Sequence, residues 1–547
     1  MRGYNRAVMF DLPSPIPFPT NEPILSYAPG TTERRDLEHA LDELSGTTHE
    51  LPHVIGGRPF LTDERFDVRS PHNHRARLGL SSHGRAAVTA QAIEAALSAA
   101  NEWAHTPFEA RARIFMRAGE LLAGPWRQRL DAATMLGQSK TAHQAEIDSA
   151  CELIDFLKFN VAFASRLAEQ PLSSPGVRNV LELRPLEGFV LAITPFNFTA
   201  IAGNLPGAPA LLGNVVVWKP SESQALAAQI TMQLFEAAGL PPGVINLVHG
   251  DGQSVASTAL AHPALAGVHF TGSTEIFRSL WETVGRNIRN YRSYPRLVGE
   301  TGGKDFVLAH SSADVRSLVV GLVRGAYEYQ GQKCSAASRA YIPKSLWPSV
   351  REQLLSEIAA LRVGDVSDFR NFMGAVIHER SFRKLESRIN AARADSRCKV
   401  LAGSVDGQEG WFVHPTLIEV SEASHPLMSE ELFGPVLSLY VYDDAHFDQV
   451  LTSVDTVSGY ALTGAIFSED RRALAHAAKV LRQSAGNLYI NDKPTGAVVG
   501  QQPFGGGRSS GTNDKAGSSY NLLRWVSPRT IKEALVSPKT VAYPFQG

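Results

Sequence analysis

Cys334 lies in GQKCSA (331–336) beside Lys333 and among small residues, with no apolar periodicity to bury it. A neighbouring cation lowers a thiol pKa from its free value of about 8.5 and enriches the thiolate, the nucleophilic form. The alternative is a packed free cysteine, the commoner fate of the residue. Cys151, inside a helical pattern, and Cys398, in SRCKVLAG, have no such setting and read as structural. Glu300 stands in VGETGGKDF (298–306), after an apolar strand start and before a glycine pair, where a carboxylate can face a cleft. There it could activate water for the second half of a covalent acyl mechanism. An exposed loop carboxylate is the other reading. Asn197 closes a buried strand in ITPFNFT (193–199), between two phenylalanines. A buried amide left unsatisfied costs about 1–3 kcal/mol, so it needs partners or a task. Its NH2 suits an oxyanion, for which one donor is worth about 2.7–4 kcal/mol; a turn-forming Asn at a strand end is the plainer account.

A cofactor would have to be held without the G-x-G-x-x-G pattern, which follows none of the early strands; GDGQSV (250–255) reads as a loop. Two strand ends carry suitable groups instead. VVVWKPSE (215–222) supplies Lys219 and Glu222, and HFTGSTE (269–275) supplies Gly272 and Ser273 where a helix should begin. A helix N-terminus with small residues is a ready pyrophosphate site. An acid near a ribose accepts from a 2′-hydroxyl and repels a 2′-phosphate, so Glu222 favours NAD over NADP. A solvated strand-to-helix turn at KPSE is the alternative.

The elements that must position these groups follow from pattern. Apolar residues recur at three- and four-residue spacing over 86–97 and 109–122, and 143–168 continues the helical pattern. Short β-rich runs then alternate with Ala-rich stretches of helical length. The runs are FVLAIT (189–194), NVVVWKP (214–220), VINLVHG (244–250) and GVHFTGS (267–273), followed by FVLAH (306–310), SRAYIP (338–343), VLSLYVY (436–442), LTGAIFS (462–468) and GNLYIN (486–491). That alternation predicts two α/β units in tandem, each with a parallel sheet. VRNVLELRPL (177–186) and LLRWVSPRTIKEAL (522–535) read as strands that leave the main sheets, either able to build an oligomerisation flap. The Pro-rich opening to about residue 30 reads as an extended arm laid on the surface or on a neighbouring subunit.

Composition bounds the partners. Lys+Arg 53 against Asp+Glu 54 leaves a formal charge of −1 over 547 residues, which offers no broad footprint for nucleic acid or an anionic membrane. No apolar run approaches the ~20 residues that span a bilayer, so no membrane insertion is expected. Arg2 and Arg6 open the chain, but Pro13, Pro15, Pro17 and Pro19 prevent a secretory or transit helix, which favours the cytoplasm with the mitochondrial matrix as the alternative. Three widely spaced cysteines exclude a disulfide framework and lack the spacing of a zinc site, so no metal is expected.

Taken together, PFNF, KPSE, FTGS, E-x-GGK, GQKC, EELFGP and PFGGG in this order resemble the aldehyde dehydrogenase superfamily. EGFVLAITPFNFTAIAGNLPGAPALLGN, YEYQGQKCSAASR, INDKPTGAVVGQQPFGGGRSSGTNDKAG and the N-terminal NEPILSYAPGTTERRDL look like its Δ1-pyrroline-5-carboxylate dehydrogenase branch. The resemblance implies that fold: a Rossmann-like NAD-binding domain (35–170 and 187–297), an α/β catalytic domain (298–505), an N-terminal arm (1–34), and a small β flap with a C-terminal tail (171–186 and 506–547). It implies Cys334 as nucleophile, Glu300 as base, and Asn197 with the Cys334 backbone N–H as oxyanion hole. NAD contacts would come from Thr194, Phe196, Lys219, Ser221, Glu222, Gly272, Ser273, Glu431 and Phe433.

The implied reaction is oxidation of L-glutamate 5-semialdehyde to L-glutamate through a thioester, a step of proline degradation. Substrate contacts would come from Glu152, Phe198, Lys333, Ser335, Gly496, Ala497 and Phe504: Ser335 and the backbone of Gly496 and Ala497 for the carboxylate, Phe198 and Phe504 around the methylenes, Glu152 near the ammonium. A homodimer or larger homo-oligomer is implied, and proline dehydrogenase is left open as a partner. Two positions depart from the family pattern. Some relatives have Ser where Ala497 stands, while Ala occurs in others, so weaker carboxylate binding is the most that is expected from it; the usual E-L-GG is E-T-GG here, and Thr301 should matter little because its backbone does the work.

Overall fold

Strands buried on both faces must read as unbroken apolar runs, and Phe189–Ile193 and Val215–Lys219 do. The computed structural model describes residues 15–167 and 169–547; the reading of Arg2, Arg6 and the first nine residues lies outside them. The first seven-stranded sheet runs, from one edge, Arg296–Glu300, Leu265–Thr271, Phe189–Ile193, Val215–Lys219, Ile245–Leu247, His53–Ile55, Arg58–Phe60. Its first five strands are parallel, and the last two extend it antiparallel. The chain moves outward from Phe189–Ile193 to Ile245–Leu247 and then returns to the other side at Leu265–Thr271. The carboxyl ends at that reversal are where an open α/β sheet binds ligands.

The second seven-stranded sheet runs Cys398–Ala402, Thr416–Val420, Val436–Tyr442, Ala337–Pro343, Asp305–Ala309, Thr463–Phe467, Asn487–Ile490 and is parallel apart from its first strand. Side chains alternate across it. Phe306 and Leu308 pack into one apolar cluster, Val307 and Ala309 into another on the opposite face. Val177–Pro185 and Val526–Ala534 pair antiparallel, residue for residue, as a separate ribbon.

Several details differ from expectation. Ser519–Leu522 and Leu523–Trp525 are short helices, so the strand begins only at Val526; Trp525 is fully buried against the first sheet's Gly267 and His269. GDGQSV is not a loop, because Asp251 accepts from Ser254 N and starts the helix Gly252–Ala261. The helical stretch after residue 143 is interrupted. A π-helical segment, Glu146–Glu152, precedes the α-helix Leu153–Ala164. Residues 49–82, for which no elements were expected, hold short strands and a three-stranded sheet. The arm lies on its own chain: Ile16 N donates to Ser165 Oγ, Glu22 N to Asp155, Leu25 N to Glu146 and Tyr27 OH to Asp131 and Glu146.

Candidate active site

The site forms where the carboxyl ends of the first sheet meet the amino ends of the second. Asn197, Lys219, Ser273 and Glu300 all follow or end first-sheet strands, whereas Cys334 and Glu431 precede second-sheet strands. Glu300 closes the edge strand Arg296–Glu300, so the expected division at 297/298 falls inside a first-sheet strand. Contacts join the two halves there: Thr301 N donates to Ser510 O at 3.0 Å, and Asn197 Nδ2 to Gln332 O at 3.0 Å.

Cys334, Glu300, Phe198, Phe504, Ser335 and Glu152 share the wall of one cavity of about 440 Å³, together with Lys333, Gly496 and Ala497. Asn197 is buried, and its Nδ2 donates to the Gln332 carbonyl at 3.0 Å, which leaves the amide's second N–H without a partner among the described residues. Burial raises the Glu300 carboxyl from its usual 4.5 to about 8; Lys515 opposes the rise and Asp514 adds to it. Burial also pushes the Cys334 thiol up, with Glu300, Asp305 and Glu431 adding to the effect. The expectation that Lys333 would lower this thiol fails for a geometric reason. Its ammonium turns to Glu328 at 3.3 Å, a partner invisible from sequence adjacency.

The rest of the cavity is polar at one end and aromatic along its sides. Ser335 Oγ donates to Thr495 Oγ1 at 2.8 Å, and Gly496 takes φ +99°, a left-handed backbone that aims the following loop. Phe198 precedes the helix Thr199–Leu211, whose first N–H groups at Thr199 and Ala200 bind the Asp148 carboxylate at 3.0 Å. Lys140, fully buried, donates to the same carboxylate at 2.7 Å and sits 4.2 Å above the Phe198 ring. Glu152 ends the π-helical segment; burial, then Asp148, pushes its carboxyl well above the ordinary range against the opposing pull of the Lys140 and Lys333 ammoniums.

The residues expected to hold NAD lie outside this cavity's described lining and gather next to it. Thr194 is fixed by Trp218 Nε1 at 3.0 Å and exchanges backbone bonds with Lys219 and Ser221. Lys219 is buried with Gly252 under its ammonium, where a Cβ would crowd Nζ at 3.3 Å. Glu222 is partly exposed, 3.6 Å from His83 Nδ1. Ser273 caps the helix Thr274–Asn287, accepting from Ile276 N. Gly272 N donates to Glu300 O at 3.2 Å.

Glu431 accepts from Gly303 N at 2.9 Å, in a cradle where a Cβ on Gly302 would strike its carboxylate. Near it, Lys304 Nζ is buried without a hydrogen-bond partner among the described residues. Phe433 holds φ +58° and meets Phe196 edge to face at 5.8 Å. The Glu222 and Glu431 carboxylates, the helix N-terminus at Ser273 and the glycines beside them are groups of the kind that hold a dinucleotide.

Outside the site, Cys151 is buried beside Arg127 and its thiol is raised by burial. Asp395, Cys398 and His425 cluster. The Leu427 N–H occupies His425 Nδ1, so Nε2 carries the hydrogen and points at Asp395 (3.3 Å) and Cys398 (3.4 Å) as a donor. Sequence reasoning missed Asn21, Glu22, Asp155 and Thr495, which also line the cavity. NEPILSY and KPTGAV contain three of them, but nothing local in those segments announces the contact.

Comparison with known proteins agrees with this geometry. The aldehyde dehydrogenase family profile matches residues 60–531. A probable delta-1-pyrroline-5-carboxylate dehydrogenase of Schizosaccharomyces pombe is 48% identical over 537 residues, 97% of this chain and 98% of that protein. The human delta-1-pyrroline-5-carboxylate dehydrogenase, named as mitochondrial, is 48% identical over 517 residues, 94% of this chain and 92% of that one. Among solved structures, the Mycobacterium tuberculosis delta-pyrroline-5-carboxylate dehydrogenase bound with NAD superposes with a TM-score of 0.95 at 55% identity, covering 98% of this chain and 100% of that one. The chain belongs to the aldehyde dehydrogenase family, among relatives that carry the name delta-1-pyrroline-5-carboxylate dehydrogenase.

Proposed function

We propose that this protein oxidises L-glutamate 5-semialdehyde to L-glutamate with NAD, the second step of proline degradation. The observation that carries the reading is the shared cavity: a thiol and a carboxyl on one wall, two phenyl rings beside them, and the Ser335–Thr495–Gly496 cluster at its polar end. The names of the relatives and the NAD-bound M. tuberculosis structure support the same substrate and cofactor.

In this reading Cys334 gives up its thiol proton to solvent and the thiolate sulfur bonds to the aldehyde carbon as the C=O π bond opens; the Asn197 amide with the Cys334 N–H receives the charge on oxygen. NAD, held by Lys219, Ser221, Glu222, Gly272, Ser273, Glu431, Phe433, Thr194 and Phe196, supplies the oxidant by accepting hydride from the substrate carbon. Glu300 then takes a proton from water, the water oxygen bonds to the acyl carbon, and the C–S bond breaks to release the acid and the thiol. Phe198 and Phe504 hold the methylenes and Ser335, Gly496 and Ala497 the α-carboxylate. Glu152 lies against the α-ammonium, whose charge favours its ionised form, and Lys333 orients the wall through Glu328.

The first sheet and its helices form the NAD-binding unit and the second sheet the catalytic unit. The ribbon of Val177–Pro185 and Val526–Ala534, with exposed Leu172, Leu535 and Val536 at one end, serves as the flap of a homodimer. No helix of the described residues is long and apolar enough to cross a membrane. The name of the human relative supports a mitochondrial compartment; the cytoplasmic reading rests on the sequence alone.

The test is NADH release with pyrroline-5-carboxylate beside simple aliphatic aldehydes. A strong preference for the former is expected, and equal rates across the panel would overturn the assignment. Cys334→Ala should lose turnover by more than about a thousandfold while still binding NAD.

A further inference from the structure

The outer wall of the cavity is made by the N-terminal arm, through Asn21, Glu22 and Ile24. Asn21 is tied to three places at once. Its Nδ2 donates to Asp155 Oδ2 at 2.7 Å and to the Val499 carbonyl at 2.8 Å, and its Oδ1 accepts from Gln501 Nε2 at 2.8 Å. The neighbouring Glu22 N donates to the other oxygen of Asp155, and the Glu22 carboxylate is held by Arg127 at 2.8 Å and Lys158 at 3.2 Å. The arm is therefore anchored on the helical body, and Asn21 is its contact with the 495–502 loop.

That loop needs such a contact. Gly496 and Gly500 both take positive φ, at +99° and +79°, so the segment has ample conformational freedom. Its near end is held by Ser335 on Thr495, and its middle by Val498 N donating to Gln502 Oε1 within the loop itself. The far end is held by Asn21, together with a backbone turn in which Gln501 N and Gln502 N donate to Val498 O and with Asn487 Nδ2 on the Pro503 carbonyl. Ala497 brings no hydroxyl, so a carboxylate at this end of the cavity must be bound by backbone N–H groups, whose direction depends wholly on how the loop is held.

We infer that Asn21 is a specificity-determining positioning residue: the arm, acting through this one amide, sets the loop that receives the α-carboxylate. The inference rests on the proposed function, since it takes a carboxylate-bearing aldehyde as substrate. A loop released at its far end still admits an uncharged aldehyde, but it holds the carboxylate poorly.

The experiment compares wild type, Asn21→Ala, Gln501→Ala and the double variant in the full-length protein, with the semialdehyde and with hexanal. For Asn21→Ala the KM for the semialdehyde should rise about tenfold, from the loss of aligned donors, with kcat within about twofold and kcat/KM for hexanal unchanged or higher. Gln501→Ala, an exposed residue, should move the same way by a smaller factor, and the double variant should show less than the product of the two. Equal losses for both aldehydes, unchanged KM for the semialdehyde, or multiplicative effects would overturn the inference and leave the proposed function standing. A wild type with no preference for the semialdehyde over hexanal would instead overturn both. Should Asn21→Ala fold poorly, the KM split in Gln501→Ala decides.

Discussion

Ser335 Oγ donates to Thr495 Oγ1 at 2.8 Å, so the residue after the nucleophile is joined to the loop at the polar end of the cavity. Ser335→Ala removes both that tie and a hydroxyl for the substrate carboxylate. The KM for the semialdehyde should rise about tenfold while hexanal is oxidised at close to the normal rate, as steady-state kinetics with both aldehydes would show.

The carboxyl of Glu300 sets the pH profile. Raised by burial to about 8, it is protonated over most of the neutral range, and a base acts only when ionised. Thioester release should therefore climb with pH up to about 8 and level off above it. Glu300→Gln should lose that limb and accumulate acyl-enzyme visible by mass spectrometry. Stability runs the other way. The unfolded chain gives up this proton near 4.5 and the folded one near 8, so the contribution is full below 4.5 and is lost as the pH rises through 8.

Glu222 should govern the choice of dinucleotide. It is partly exposed, with His83 Nδ1 at 3.6 Å and the Lys219 ammonium close enough to feel its charge, and its carboxylate can accept from a 2′-hydroxyl. Wild type should use NAD far better than NADP, and Glu222→Ala should narrow the ratio by about tenfold or more. Equal efficiency of wild type with the two cofactors would remove the role assigned to this carboxylate.

Asp148 binds a buried ammonium and the first N–H groups of the helix behind Phe198. Asp148→Asn leaves Lys140 charged and uncompensated where both side chains are wholly buried. Breaking such a pair costs about 3–5 kcal/mol, so a marked fall in the denaturation midpoint is expected. Replacing the pair together, as Lys140→Met with Asp148→Leu, should recover part of it.

Much of this was legible beforehand, for a physical reason. The central strands of both sheets are buried on each face and so are mostly apolar; the run 436–442 matches Val436–Tyr442 to the residue and most others fall within two, whereas 244–250 overruns Ile245–Leu247 by three. Cys334, Glu300 and Asn197 stand out as reactive or polar groups in small-residue or aromatic company, but each keeps a plainer reading until the motifs are taken in order along the chain. What escaped was non-local. The strands His53–Ile55 and Arg58–Phe60 are three residues long and carry no period. The clamp at Asn21 exists only once distant segments are folded together, and the pairing of Lys333 with Glu328, five residues away, depends on the backbone kink between them. A π-helical turn has the same residues as an α-helix, and its wider spacing leaves no mark in the apolar pattern.

That turn, Glu146–Glu152, bears on how this pocket is shaped. Its wider winding shifts the register of everything after it, so Glu152 owes its heading to how many residues precede it and not to their identities. Losing one residue there would swing the following helical face by about 100°. The heading of the carboxyl at this wall of the cavity is thus set by backbone length as well as by which residue stands at 152.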